Sequence, residues 1–474
     1  MVRLHLFSVV VLLLATQGLC WAQDDSTPAD GTVPQQPAPA YGADNSAPPS
    51  SSENPPISGL DMPNLEPHAA PLSYLQAGAH FSETADSNLE NTVGTSEFGS
   101  ITRLLGSLEL QRLWSHYDLG LDYVGGFGYY SASGIGWRQI QELGIEQRVK
   151  WKRGEFSVRD AFSYQPEGSF GGSYGGIGFS GAGLGEQSVL FGGTTLGELG
   201  QVPRIMNLSL AEAQEYLSPK SAITATAGYG FVHFLQNDPT LGNPFIGSSQ
   251  ITAMGGYDRV LGPHDQGALA YGYERFDFST GEMFQSHLIE LMWGHLVSGR
   301  MDFLIAGGPQ FTEAGGALDI SAAGQAVLRY RWSKTSLNAS YAHLLTAGSG
   351  LFVGATSNLA HASVERALTR RWTGSLDTGY VHSTRVLLTS CGLVQSLTGQ
   401  CPGVPGNTYQ YAFAGGEVRR YIGRQFAIFG SYQFNYLVFD RSFCGASGGP
   451  CSRTSPRQTV TFGLNWSPRP WRID

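Results

Sequence analysis

The chain has little charge, almost no lysine and no long run of apolar residues. Charged residues make up 14% of its 474 positions, lysine occurs four times, and the formal net charge is −9. So sparse a set of cations offers no basic surface for nucleic acid, which excludes that class of partner. No stretch reaches the roughly 18 uninterrupted apolar residues of a membrane helix. If the chain crosses a bilayer, it must do so with strands closed into a barrel, since no other fold satisfies its backbone there. Cysteine is scarce as well, with five residues, one of them Cys20 near the N-terminus.

Glycine, at 63 residues, and aromatic side chains, at 12%, are what the chain has in quantity. From about Ser73 onward they fall into one repeated pattern, in which apolar residues alternate with small or polar ones. The clearest case runs from Phe426 to Tyr436. Phe426, Ile428, Tyr432, Phe434 and Tyr436 fall on one face, and Ala427, Ser431, Gln433 and Asn435 on the other. Successive side chains of a strand point to opposite faces, so this is a strand with one greasy and one wet side. We count about eighteen such segments, from 73–82 and 102–114 to 425–438 and 457–467. The segments 73–82 and 206–217 are the least regular, so sixteen is the alternative count. On 206–217, Glu212 and Gln214 share a face with Leu208 and Leu210.

The connections alternate too. Ser115-His116, Lys152-Arg-Gly154, Ser298-Gly299, Ser333-Lys334 and Ile422-Gly-Arg424 are short, whereas 83–101, 166–205 and 236–248 are long. Alternating turns and loops with period-two strands predict an all-β fold: a transmembrane antiparallel up-and-down β-barrel over 73–474. An even strand count puts both termini on the periplasmic side. Charge supports the sidedness, because Arg or Lys at the midplane of the lipid face costs about 2–4 kcal/mol. Glu142, Glu146 and Arg148 share one face of their strand, while Leu143, Ile145 and Val149 share the other. A soluble sandwich would alternate as well, but its outer face would be polar. Here the greasy face is rich in Tyr, Phe and Trp near the turns, as in an interfacial belt.

Residues 1–22 read as a signal peptide, with Arg3, the apolar run Val9–Leu14 and Cys20-Trp-Ala22 as a small-x-small cleavage site. Gln17-Gly-Leu19 lacks the small residue that lipidation of Cys20 requires directly before it. Residues 23–72 hold 11 of the 24 prolines among Ser, Ala, Asp and Gln. No core can form there, and the segment reads as a disordered periplasmic linker. The other cysteines, Cys391, Cys401, Cys444 and Cys451, lie in long loops of a secreted chain, where disulfides persist. Three pairings are possible, and local closure, Cys391 with Cys401 and Cys444 with Cys451, is favoured. Neither loop contains a histidine, so a metal site is not expected.

Eighteen strands leave a lumen wide enough for water. The residues expected to face it are Asp118, Asp122, Glu142, Glu146, Asp258, Glu274, Glu290, Glu365 and Asp377, with Arg148, Arg159, Arg329 and Arg331. Rings of charge in a pore set ion preference, and the same residues could equally be internal salt bridges that stiffen the wall. The connection 166–205 carries 13 glycines between Gly168 and Gly200. Here Pro166-Glu167-Gly-Ser-Phe170-Gly171-Gly172 resembles the third loop of the bacterial general porins, in which a Pro-Glu-Phe-Gly-Gly stretch folds inward and narrows the channel. The resemblance implies a constriction loop holding Pro166, Glu167 and Phe170. The wider resemblance, to outer-membrane barrels in general, implies passive transport or a surface scaffold. Phe462-Gly-Leu464-Asn-Trp466 resembles the C-terminal signal read by the barrel-assembly machinery. This chain departs from the porins in its strand count, its cysteines and the eight residues after that signal, which puts trimeric behaviour in question.

Enzymatic patterns lack their context. Gly176-Ile-Gly178-Phe-Ser-Gly181 spells a dinucleotide fingerprint without the strand and helix that give it meaning. Gly178-Phe-Ser180-Gly-Ala182 lacks the final glycine of a nucleophile elbow. His233, His287, His343, His361 and His382 are scattered over different strands. The expectation is therefore a non-enzymatic, porin-like channel in the bacterial outer membrane, without cofactor or metal, whose partners are lipids, the assembly machinery and small hydrophilic solutes. A homo-oligomer and a periplasmic partner are further possibilities. The alternative is a structural or export barrel, for polysaccharide or protein, recruiting its partner through 23–72.

Overall fold

The computed structural model describes residues 73–89, 96–131, 136–166, 203–235, 245–315, 317–348, 353–386, 408–439 and 453–473. The expected signal peptide 1–22 and linker 23–72, and Cys391, Cys401, Cys444 and Cys451, lie outside the described residues. The strands are β1 (Tyr74–Asp86), β2 (Gly99–Leu113), β3 (Tyr117–Tyr130), β4 (Gly136–Trp151), β5 (Gly154–Gln165), β6 (Arg204–Ser218), β7 (Ser221–Phe234), β8 (Ser248–Val260) and β9 (Asp265–Phe278). They continue with β10 (Met283–Ser298), β11 (Met301–Ala314), β12 (Ala317–Trp332), β13 (Thr335–Thr346), β14 (Ala355–Ala367), β15 (Trp372–Arg385), β16 (Thr408–Ile422), β17 (Phe426–Phe439), β18 (Thr454–Trp466) and the two-residue β19 (Trp471–Arg472).

Each strand from β1 to β18 pairs antiparallel with its neighbours in sequence, and β18 returns to β1, with His80 opposite Asn465 and Thr84 opposite Thr461. The sheet therefore closes on itself as an eighteen-stranded transmembrane barrel, and a closed sheet has no unpaired edge. The two segments that looked irregular in sequence are full strands. β6 pairs with β5 and β7 along nearly its whole length. β1 runs four residues beyond its expected end at 82, and β2 begins three residues before its expected start at 102. The reason is physical. Ser82, Thr84 and Asp86 are buried on the inward face, where polar side chains do not end a strand as they would on a hydrophobic core.

Curvature separates the faces: outward side chains splay apart on the convex wall and inward ones crowd together. Leu291 and Phe462 are each 66% exposed, whereas Glu290 and Gln433 are 4% and 2% exposed. The outer wall is therefore the apolar one. Short turns gather at one end of the barrel, as between Trp114 and Tyr117, where the Trp114 amide donates to the Tyr117 carbonyl at 2.8 Å. Trp114, Trp151, Trp293, Trp332, Trp372, Trp466 and Trp471 all stand exposed at or near that end, a ring of amphipathic side chains at membrane-interface level. Both ends of the described barrel meet there as well. β19 pairs with the start of β1, and the Ile473 amide donates to the Ser73 carbonyl at 3.1 Å.

Candidate functional site

The inward wall carries the chemistry. Strand alternation turns Asp118, Asp122, Glu142, Glu146, Arg148, Arg159, Asp258, Glu274, Glu290, Arg329, Arg331, Glu365 and Asp377 all to that face. Their surroundings divide them. Arg148 meets Glu146 at 2.7 Å, Arg159 meets Glu212 on the next strand at 2.6 Å, and Arg329 meets Asp302 at 2.9 Å. Lys150 pairs with Asp118, and the His361 imidazole with Asp377. All but Arg148–Glu146, which lies along β4, join neighbouring strands, and an ion pair across two strands also fixes their register.

The sector β7–β10 differs. Asp258, Glu274 and Glu290 face inward there, and among the described residues none of these four strands turns a Lys or Arg to the same face. The Thr224 hydroxyl lies 3.2 Å from the Asp258 carboxylate, and the neighbours Gln250, Thr252, Gln266 and Ser286 are neutral. Around the whole described wall, inward carboxylates outnumber inward cations. An excess of fixed negative charge lining a low-dielectric cleft raises the local concentration of cations.

Several inward groups were not singled out from the sequence. Arg457 forms a buried pair with Asp86 across the β18–β1 closure, and Arg419 meets Glu417 at 2.8 Å. Arg103 donates to the Thr84 hydroxyl at 3.3 Å. The signal was present: Arg457 shares its parity with Thr459, Thr461 and Asn465, a plainly wet face. Of the expected constriction residues, Pro166 directly follows β5 and is buried, and Glu167 and Phe170 lie outside the described residues. The glycine-rich motifs at 176–182 lie outside them too.

The histidines do not converge. His361 faces inward, whereas His233, His287, His343 and His382 face outward near the long-loop end. The Asn358 side-chain oxygen is 2.8 Å from both the Tyr341 hydroxyl and His343 Nδ1. Tyr341 and Asn358, with Ala360, Tyr380, His382 and Gln410, line a hollow of about 440 Å³ on the outer wall. No serine or cysteine nucleophile stands among its lining residues. Among the described residues, no group of three or more His, Cys, Asp or Glu side chains could hold a metal ion.

No family model matches the chain, and no curated protein matches it. Solved structures do. Pseudomonas aeruginosa OccK2 (OpdF) aligns at 10% identity and a TM-score of 0.42, over 83% of this chain and 98% of that one. Pseudomonas aeruginosa OpdQ aligns at 10% and 0.41, over 84% and 99%. Acinetobacter baumannii OccAB3 aligns at 9% and 0.40, also over 84% and 99%. Likenesses at these identities and scores say nothing of what this chain carries.

Proposed function

We propose that the protein is a porin-like channel of the bacterial outer membrane for passive diffusion of small hydrophilic solutes, with a preference for cations. One observation carries the reading: eighteen strands close around an inner wall that sets charged and polar side chains between apolar clusters, and turn an apolar, Trp-girdled wall outward. Barrels of this strand number leave an aqueous lumen, and the inward charges are where a permeating ion meets protein. The excess of inward carboxylates over inward cations supplies the preference for cations, while the charge pairs across strands stiffen the wall. In this reading the short-turn end, with both ends of the barrel, faces the periplasm. The strand ending at Trp466 is presented to the assembly machinery, and the glycine-rich connection 166–205 narrows the lumen.

Single-channel conductance of the folded protein in a planar bilayer tests this directly. The expected result is a steady, cation-preferring conductance that grows when residues 168–200 are deleted. A protein that migrates as a folded barrel, yet passes neither ions in bilayers nor sugars in liposomes, would sink the channel reading.

A further inference from the structure

A membrane barrel should present no charge to the middle of the bilayer, yet among the described residues this one places an acid there, at one position. On β4 the outward side chains run from Trp137 at the long-loop end to Trp151 at the other, which brackets the membrane. Between them stand Gln139, Gln141 and Gln147. Ile145, near the midpoint, lies opposite Asp160 of β5, which alternates outward between inward Arg159 and Ala161. Every other outward Asp, Glu, Lys or Arg on the described strands lies within three residues of a strand end. Asp160 is five residues from the nearer end of its own.

The neighbours of Asp160 are polar and outward as well. The Asn207 side-chain amide donates to its carboxylate at 3.1 Å, and the Ser209 hydroxyl donates to its second oxygen. Ser209 also lies 3.2 Å from the Asn207 side-chain oxygen. β6 has accordingly reversed its polarity, with Met206, Leu208 and Leu210 buried on the inward side. Two local donors leave a carboxylate short of the hydrogen bonds that would hold its charge in hydrocarbon, and lipid chains supply none.

Beside this cluster the wall is flat. Ala211 lies opposite Ala227, and Ala227 opposite Ala253; one step along, Ala213 lies opposite Ala225, and Ala225 opposite Gly255. Small side chains let two backbones approach closely within a membrane. Copies in one bilayer are related by an axis along its normal, so each level of one wall meets the same level of another. The Gln147 amide stands outward two residues along β4 from the position facing Asp160, within a side chain's reach of that level on a second copy. We propose that the outer wall of β4–β8 is the surface on which a second copy of this chain docks, the Asp160 carboxylate accepting amide hydrogen bonds across the interface.

The test is the particle mass of the full-length protein in native-lipid particles, measured by native mass spectrometry. Gel migration with and without heating establishes that each variant folds. The wild type and Leu291→Trp, which adds bulk to the apolar wall of β10, should both be oligomeric. Ala227→Trp, which raises a wedge on the flat face, should be monomeric. Asp160→Leu removes a hydrogen bond to a charged group and should weaken association by about tenfold. A monomeric wild type, a wild type found only with a different protein, or an Ala227→Trp variant as oligomeric as the wild type would each overturn the proposal. Conductance is not read in this experiment, so its outcome is independent of the channel reading.

Discussion

Strands β5–β6 and β9–β10 belong to the same sheet and differ in what they place at mid-strand. Outside, β9–β10 show Leu269, Tyr271, Ile289, Leu291 and Trp293, whereas β5–β6 show Asp160, Asn207 and Ser209. Inside, both pairs set charge among apolar side chains, but β9–β10 carry Glu274 and Glu290 between Phe276, Leu288 and Met292 with no cation on those strands' inward face, whereas β5–β6 carry the Arg159–Glu212 pair among Met206, Leu208 and Leu210. A strand pair does not therefore inherit a greasy and a wet face from the fold. Each face matches whatever covers it: hydrocarbon or another protein outside, water or a neighbouring side chain inside.

The largest effect that would sharpen this contrast lies in the ion pair. Arg159→Met leaves Glu212 half-buried without its cation, and breaking such a pair costs about 3–5 kcal/mol. The double variant Arg159→Met/Glu212→Leu should recover most of that loss, as judged by urea unfolding in bilayers. Next comes the apolar wall, where Leu291→Arg at mid-strand should cost about 2–4 kcal/mol in the same assay. If the two outer walls differ as described, Asp160→Leu should not destabilise the isolated barrel at all, and a loss comparable to that of Leu291→Arg would erase the distinction. A smaller effect is expected at the inner wall. Glu290→Gln should lower the cation-to-anion permeability ratio, read as a reversal-potential shift under a salt gradient, while leaving the barrel folded. The mildest change needs no variant: going from 0.1 M to 1 M salt shortens screening from about 10 Å to about 3 Å, so the cation preference should fall.

Most of the architecture was legible because it rests on a period of two, which any strand with one lipid face must obey. All thirteen charges expected to point inward do so, since parity alone decides the face. Strand ends are less legible: β1 and β2 reach Asp86 and Gly99, beyond the expected bounds at 82 and 102, because polar residues inside a wide barrel continue the wall. Parity also places Asp160 outward, opposite Arg159, yet a lone acid carries no sequence signal of its depth. That depth emerged only when pairing set Asp160 against Ile145 and between the tryptophans of β4. Which charges are partnered was not legible at all, because the partners Arg159 and Glu212 lie 53 residues apart and meet only through register.

The closure of β18 on β1 has a consequence for the order of events. These strands lie at opposite ends of the described barrel, so the seam holding Asp86 and Arg457 together cannot form until the last strand has been made. Every earlier stage is an open sheet with two bare edges, each a template for some other chain. Closure is therefore the slowest contact to reach, by loop-closure entropy, and the one that removes the hazard altogether. A chain stalled one strand short keeps nearly all of its hydrogen bonds and still has both edges open. For this protein, the danger of misassembly is greatest just before it ends.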